Sequence, residues 1–418
     1  MLDGTYEIRD PIFGFISLND WEKEIINSKE FQRLRRIKQL AFTDMVYPGA
    51  NHTRFEHSLG VMHVSTMMYD SIINKNSNIN ILRERFDYND AGIERDRQLV
   101  RLAALLHDIG HPPFSHGPEN LMPSKHEEYS AEIIRNLLKD VIENHKINDN
   151  YKIKAEEIAA LIEGNIKILR GRIFWRDLIS SQLDADRCDY LLRDSYHTGV
   201  KYGIYDYDRL INTISIGIEP EADNIVLGIE EGGWRVAEAL IVARYFIFTQ
   251  VYLHKTRRIY DYHLTKVLEN MLKNGKFPNK NYINKYMNID DFSVWNFIIS
   301  NNKSIEDCSC ILNRKHHRMI YEEEIVKEDF PINIEKIKNK LNKKKIWYYE
   351  DNSRELKEWY TKDTYEEIMI INENNKKASP LSKWSKVTGK LGKYDFIRLY
   401  VRYIDFERAK NFIQEVLQ

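Results

Sequence analysis

Residues 98–108 constrain this chain more than any other segment. Gln98-Leu99-Val100-Arg101-Leu102-Ala103-Ala104-Leu105-Leu106 is almost unbroken in apolar character and runs straight into His107-Asp108-Ile109-Gly110-His111-Pro112-Pro113. Such continuity fits a buried helix rather than a surface one, and Gly110, Pro112 and Pro113 end it. Other helices must wrap this segment, leaving a His-Asp doublet sheltered at its end. An unpaired charge there is expensive, whereas an imidazole beside a carboxylate is half of a divalent-cation site. A core histidine satisfied by one hydrogen bond is the plain alternative for the doublet taken alone.

The missing ligands are at hand. Seven of the 13 histidines lie between His52 and His126. His57 sits in Thr53-Arg54-Phe55-Glu56-His57-Ser58, and Asp186 in Leu183-Asp184-Ala185-Asp186-Arg187. A helical bundle brings such separated clusters together.

Apolar spacing predicts helices over Asn19–Gln39 (broken near Ser28), Thr53–Asn74, Gln98–Asp108, Glu127–Lys139, Ala155–Glu163, Asp177–Asp194 and, without interruption, Trp234–Lys273. Asn76–Asp96 reads as an exposed connection. A hairpin is expected from Thr213–Glu219 and Asn224–Glu230 around Pro220-Glu221-Ala222-Asp223. Past Asn274–Asn281, strands are expected at Glu366–Ile371 and Asp395–Tyr403, with a closing helix at Glu407–Leu417. The fold class is mainly α. A helical catalytic domain is expected over 1–273 with the hairpin inserted near 213–230, and a smaller α+β lobe over 274–418 with an oligomerisation or regulatory role.

The 418 residues carry 62 Lys+Arg and 63 Asp+Glu, a net charge of −1 that gives no chain-wide footprint for nucleic acid or an acidic membrane. Three cysteines exclude a disulfide framework and favour a reducing, cytoplasmic setting. Met1–Thr5 lacks a signal-peptide layout, and no uncharged apolar run approaches the ~20 residues that cross a bilayer. Cys308-Ser309-Cys310 with His316-His317 resembles a zinc cluster. On a helix over Ile305–Leu312, however, the two thiols diverge by about 200°, and the spacing departs from that of structural zinc sites, which argues against a metal there.

The order Arg54-Phe55-Glu56-His57-Ser58, His107-Asp108, Asp186 is the H…HD…D pattern, and the chain resembles the HD superfamily of metal-dependent phosphohydrolases. Asp10-Pro11-Ile12-Phe13-Gly14, Phe31-Gln32-Arg33-Leu34-Arg35, Tyr47-Pro48-Gly49-Ala50, Pro113-Phe114-Ser115-His116, His126-Glu127 and Asp186-Arg187-Cys188-Asp189-Tyr190 narrow the likeness to deoxynucleoside triphosphate triphosphohydrolases over about residues 6–260.

The resemblance implies metal ligands His57, His107, Asp108 and Asp186. The ion would be Fe, Mn, Mg or Zn, with a second Mg accompanying the substrate. It implies catalytic roles for His111, His116 and His126, with His116 the proton donor, His111 and His126 orienting the phosphates, and Glu119 the carboxylate partner of a histidine. Glu119 and His126 capping local helices is the plain alternative. Substrate contacts would come from Gln39, Leu40, Arg54, Arg187, Tyr190, Asp194, Arg244, Tyr252 and Lys255. Among these, Asp194 would accept the sugar 3′-hydroxyl and Tyr252 would lie against the 2′ carbon.

An effector site would use Asp10, Asn27, Gln32 and Arg35. Asn27 stands where the mammalian pattern has Asp, and an amide cannot accept both donors of a guanine edge. The expected effector therefore differs from GTP or dGTP, or is absent. The implied partners are a dNTP substrate, a nucleotide activator and further copies of the chain in a dimer, tetramer or hexamer. Neither nucleic acid nor a membrane is required. An HD phosphodiesterase or 5′-nucleotidase would keep the metal ligands without the triphosphate contacts, and a nucleotide-sensing interaction protein would keep the fold without turnover.

Overall fold

The computed structural model describes residues 6–86, 88–221, 223–325, 332–353, 367–388, 391 and 395–417. The apolar run is the centre of the molecule. It belongs to a helix over Asp90–Leu106 whose residues from Gln98 to Leu106 are all buried. In chain order the main helices are α1 (Asp20–Asn27), α2 (Arg54–Ile73), α3 (Asn76–Phe86), α4 (Asp90–Leu106), α5 (His126–Asn136), α6 (Ala155–Glu163) and α7 (Ala185–Thr198). They continue with α8 (Trp234–Ile247), α9 (Lys255–Met271), α10 (Asp291–Asn301), α11 (Glu306–Leu312), α12 (Ile332–Lys343) and α13 (Phe406–Leu417). Helix α2 packs against both α4 and α7, and fourteen of its twenty residues are buried. Such a helix is core on nearly every side, so it cannot shift without disturbing its neighbours.

Three expectations change. The helix expected over Asp177–Asp194 starts only at Ala185, where Asp184 caps it by accepting from Arg187 N, and it runs on to Thr198. Asn76–Asp96 is not an exposed connection but α3 followed by the first half of α4: Asn78, Ile81 and Leu82 of α3 are buried, and Asn89 caps α4 by accepting from Gly92 N at 2.8 Å. Polar composition hid a helix that buries one narrow stripe. The stretch Trp234–Lys273 contains no proline, yet it breaks. A π turn over Phe248–Tyr252 ends α8, His254 caps α9 through Thr256 N, and the two arms meet at 62°. Elsewhere α1 stops at Ser28, whose hydroxyl accepts from Phe31 N and starts a new turn.

Three small sheets complete the fold. Strands β1 (Tyr6–Asp10) and β2 (Gly14–Leu18) form an antiparallel hairpin, with Gly14 at φ 78° in its turn. The expected hairpin is β3 (Ile214–Ile218) with β4 (Ile225–Glu230). Later strands are β5 (Arg318–Glu324), β6 (Tyr348–Asn352), β7 (Met369–Ile371), β8 (Ala378–Pro380) and β9 (Phe396–Val401). β7 joins β4 in parallel to give the order β3-β4-β7-β8, and β9 lies between β5 and β6. Residues Ala222 and Glu366 of the sequence reading lie outside the described residues.

The large core runs on past residue 273 through Phe277, Ile283, Tyr286, Val294, Ile298 and Ile311, and takes in Ile368 and Ile370. A second core is built from α12, α13 and the β5-β9-β6 sheet. Among the described residues no single helix is long and apolar enough to cross a membrane.

Candidate metal centre

Helix α4 ends at Leu106, and the doublet it delivers meets side chains from α2 and α7. His107 gives Nδ1–H to the Ala104 carbonyl at 2.8 Å, and His57 gives Nδ1–H to Asp189 Oδ2 at 2.7 Å. Both rings therefore present the lone pair of Nε2, the tautomer a metal needs. Asp186 Oδ1 lies 3.0 Å from His57 Nε2 and 3.9 Å from His107 Nε2. Asp108 lies 3.4 Å from His57 Nε2 through Oδ2 and 3.3 Å from His107 Nε2 through Oδ1. The four sequence-predicted ligands converge.

Both Nε2 atoms are buried without a well-aligned hydrogen-bond partner, which is what a ligand set for a cation requires and what a mere hydrogen-bond network would avoid. Burial should strip the proton from His57, yet Asp108, Asp186 and Asp189 hold its pKa well above the ordinary value. The site favours positive charge at that point. Burial would likewise raise the Asp108 carboxyl, but Arg54, His107 and His111 keep it well below the usual range.

Of the supporting residues, Asp189 and Arg193 were given no role in the sequence analysis. Asp189 also takes the Arg193 guanidinium, Nη2 to Oδ1 at 2.7 Å, and Arg193 Nη1 reaches Asp10 Oδ2 at 2.8 Å. Gly60 makes the first step possible: a Cβ there would sit 1.7 Å from Asp189 Oδ1. Asp10 thus takes a different part from the effector site implied by resemblance. It is buried, ties the β1-β2 turn through Ile12 N and Phe13 N, and anchors the carboxylate behind His57. The signal available in the sequence was the i,i+4 pair Asp189/Arg193 on α7.

Beyond the doublet the chain folds into a tight irregular turn. Phe114 (φ 57°) and Ser115 (φ 55°) are both left-handed, a strained pair for non-glycine residues. Asp291 accepts from Phe114 N, and Ser115 Oγ accepts from Arg54 Nε while donating to Lys38 O. Gly110 is needed by close approach, since a Cβ would lie 2.4 Å from the His126 carbonyl. Arg33 Nη1 holds the His111 carbonyl at 3.0 Å.

The turn gathers the three further histidines. His111 stacks on His126 with centroids 3.8 Å apart and lies 3.2 Å from Asp108. Glu119 bridges the other two, 3.0 Å from His116 Nδ1 and 2.7 Å from His126 Nδ1. Electrostatics divide that pair. Burial lowers His116, whereas at His126 the same burial is outweighed by Glu119, and the pKa rises to about 9. The proton expected on His116 from the sequence meets an environment that lowers His116 and raises His126.

On α7, Asp194 is buried one face along from Asp186. His52 lies 2.7 Å from its Oδ1, and the Tyr252 hydroxyl bonds its Oδ2. Tyr190 lies 6.3 Å from Tyr252, ring to ring. Gln39, also buried, donates its backbone N–H to His52 O, and Leu40 follows it. Arg187 Nη1 and Arg244 Nη1 meet the same acceptor, Gln182 Oε1, at 3.0 and 2.9 Å. The two guanidiniums share this amide oxygen in a cationic cradle, where Arg187 Nε also lies 3.3 Å from Asp184 Oδ2, and Gln182 was missed in the sequence.

Arg54, expected to contact substrate, is locked to Asp108 and Ser115, with Nη2 buried and unbonded. Lys255 does not join the group. It is exposed at the start of α9, lining a cavity of ≈ 190 Å³ with His316, Arg318 and Tyr400. Asn27 and Arg35 are exposed near half-buried Gln32, which accepts from Arg35 Nε at 2.9 Å.

The sequence matches the family described as "HD domain" over residues 54–194 and "HD associated region" over 205–355. An uncharacterized protein of Methanocaldococcus jannaschii is 39% identical, over 72% of this chain and 56% of its own. The deoxynucleoside triphosphate triphosphohydrolase SAMHD1 homolog of Dictyostelium discoideum is 31% identical, over 61% of this chain and 47% of its own. The chain spans about half the length of these curated relatives. A crystal structure of a hypothetical Aquifex aeolicus protein superposes with a TM-score of 0.78 at 28% identity, covering 99% of this chain and all of that one.

Proposed function

The chain belongs to the HD-domain family, and from that premise we propose that it hydrolyses deoxynucleoside triphosphates to a deoxynucleoside and inorganic triphosphate. One observation carries this reading: α7 alone presents Asp186 to the metal-ligand cluster, Arg187 to the Gln182–Arg244 cradle and Asp194 to Tyr252 and His52. Asp186 and Asp194 are separated by about 12 Å of helix, the scale of a nucleotide.

In this reaction the bond between the α-phosphorus and the 5′-oxygen breaks. The oxygen of water stays with the triphosphate, and the 5′-oxygen leaves as a hydroxyl after receiving a proton. A divalent ion held by His57, His107, Asp108 and Asp186 would supply an acidified water and polarise a phosphoryl oxygen. The cradle and Arg54 Nη2 balance the phosphate charge in a chain that has no net charge to spare. His111, set between Asp108 and His126, orients the α-phosphate. Proton delivery falls to the Glu119-bridged pair, with His126 holding the proton at neutral pH. Asp194 keeps lone pairs beyond those used by His52 and Tyr252, enough to accept a 3′-hydroxyl. The Tyr252 ring then occupies the space a 2′-hydroxyl would need.

Asn27, Gln32 and Arg35 lie on accessible surface, suited to a nucleotide effector between copies of the chain in a homo-oligomer. The deciding experiment incubates purified protein with each dNTP and NTP and Mn²⁺, Fe²⁺ or Mg²⁺, and identifies the products. Deoxynucleoside with intact triphosphate supports the proposal. Orthophosphate, pyrophosphate or monophosphate release favours a 5′-nucleotidase or phosphodiesterase, and binding without turnover favours a sensor.

A further inference from the structure

A second cluster of metal-binding side chains lies away from the first, and nothing in the proposed reaction uses it. His263 of α9, Cys310 of α11 and His317, one residue before β5, are all buried, and their ligand atoms lie within 4.8 Å of one another. The donor set is one sulfur and two imidazoles. It joins α9 to two points of one later stretch, Cys310 on α11 and His317 just before β5.

Each residue is prepared for the part. Asp307 accepts from His263 Nδ1 at 2.7 Å, the carboxylate–histidine arrangement that leaves Nε2 as ligand. Nε2 faces His317 and there accepts only the backbone N–H of His317, at 3.2 Å. His317 Nδ1 is buried and has no hydrogen-bond partner. An orphaned buried imidazole nitrogen is costly unless something binds it. The two thiols of α11 diverge as its helical geometry requires: Cys308 is absorbed by the large core, whereas Cys310 stays outside both hydrophobic clusters. The expectation of no metal at this cluster changes because His263 supplies a ligand from a distant helix, and only one of the two thiols is then needed.

We propose that His263, Cys310 and His317 form a zinc-class site that clips the β5 end of the small sheet to α9 and α11. One thiolate with two imidazoles suits Zn²⁺ or Co²⁺ and disfavours Mg²⁺ or Ca²⁺. Ligand atoms around one tetrahedral ion lie about 3.5 Å apart, so the cluster closes by no more than about 1.3 Å per pair. Binding exchanges the His317 N–H contact for the ion and releases the Cys310 thiol proton. The fourth position is taken by water, reached from the neighbouring cavity that His317 lines.

The test uses full-length, metal-depleted protein titrated with Co²⁺ alone. The first centre has no sulfur ligand, so a near-ultraviolet thiolate-to-cobalt band reports this site only. The expected result is a saturable band whose limiting intensity corresponds to one thiolate-bound Co²⁺ per chain, which disappears on adding Zn²⁺, is lost in Cys310→Ser and is kept in Cys308→Ser. His317→Gln should weaken Co²⁺ binding at least tenfold. Absence of the band in the unmodified protein, or its survival in Cys310→Ser, overturns the proposal.

Discussion

His57 gives its Nδ1–H to Asp189 across 2.7 Å, and that one bond fixes which nitrogen of the ring faces the metal-ligand cluster. Asp189 is itself held by Arg193, and Arg193 by Asp10, so a hairpin at the start of the chain sets the orientation of a ligand 47 residues later. Asp189→Asn should weaken divalent-metal binding about 10–100-fold while leaving the ligands in place. Titration of metal-depleted protein followed by elemental analysis measures this, and unchanged affinity would remove Asp189 from the site.

Asp108→Ala is expected to abolish turnover and metal retention together. It also leaves the buried Arg54 without its anion, at about 3–5 kcal/mol of stability. Asn27→Ala, on the exposed surface near Gln32 and Arg35, should alter only the response to added nucleotide. Equal loss of basal rate in both variants contradicts the separation of site and effector surface.

The pH dependence follows from His126, whose pKa rises to about 9 because Glu119 outweighs burial. A folded-state value above the unfolded one, near 6.5, stabilises the chain most fully below that unfolded value. The contribution fades as pH rises through about 9. The rate should fall over the same interval as the donor loses its proton. His126→Gln should remove that alkaline limb, and a pH–rate profile unchanged by the substitution would assign the proton elsewhere.

Tyr252→Ala opens the space beside Asp194 and removes a hydrogen bond to its Oδ2. The preference for dNTP over NTP, measured as the ratio of kcat/KM values, should fall at least about tenfold. An unchanged ratio would place sugar selection elsewhere.

Gly60→Ala tests packing rather than chemistry. Its Cβ would fall 1.7 Å from Asp189 Oδ1 and 2.4 Å from Arg193 Nη2, both buried side chains with no room to retreat. A loss of about 1–3 kcal/mol is expected in denaturant unfolding, with weaker metal binding as a companion effect. A variant as stable as the parent would mean that α2 and α7 can separate.

The helices that carry the candidate centre were legible because burial on most sides leaves a continuous apolar record, as in Leu99–Leu106. The helix over Asn76–Phe86 was not, since only Asn78, Ile81 and Leu82 are buried. The break after Ile247 was equally silent: no proline or glycine marks it, and a π turn with the His254 cap makes it.

Residue identity fixed what could happen at the centre. Imidazoles and carboxylates in the order His57, His107-Asp108, Asp186 name the ligands, and an apolar helix ahead of the doublet requires that its charge be matched. Partnership was decided only by the folded chain. Asp10 behind Arg193, Glu119 between two histidines, Gln182 between two arginines and His263 beside Cys310 all pair residues from separate turns or elements. Hydrogen bonds and ion pairs act over about 3 Å, and no local pattern in a linear sequence records which distant side chains come within that reach.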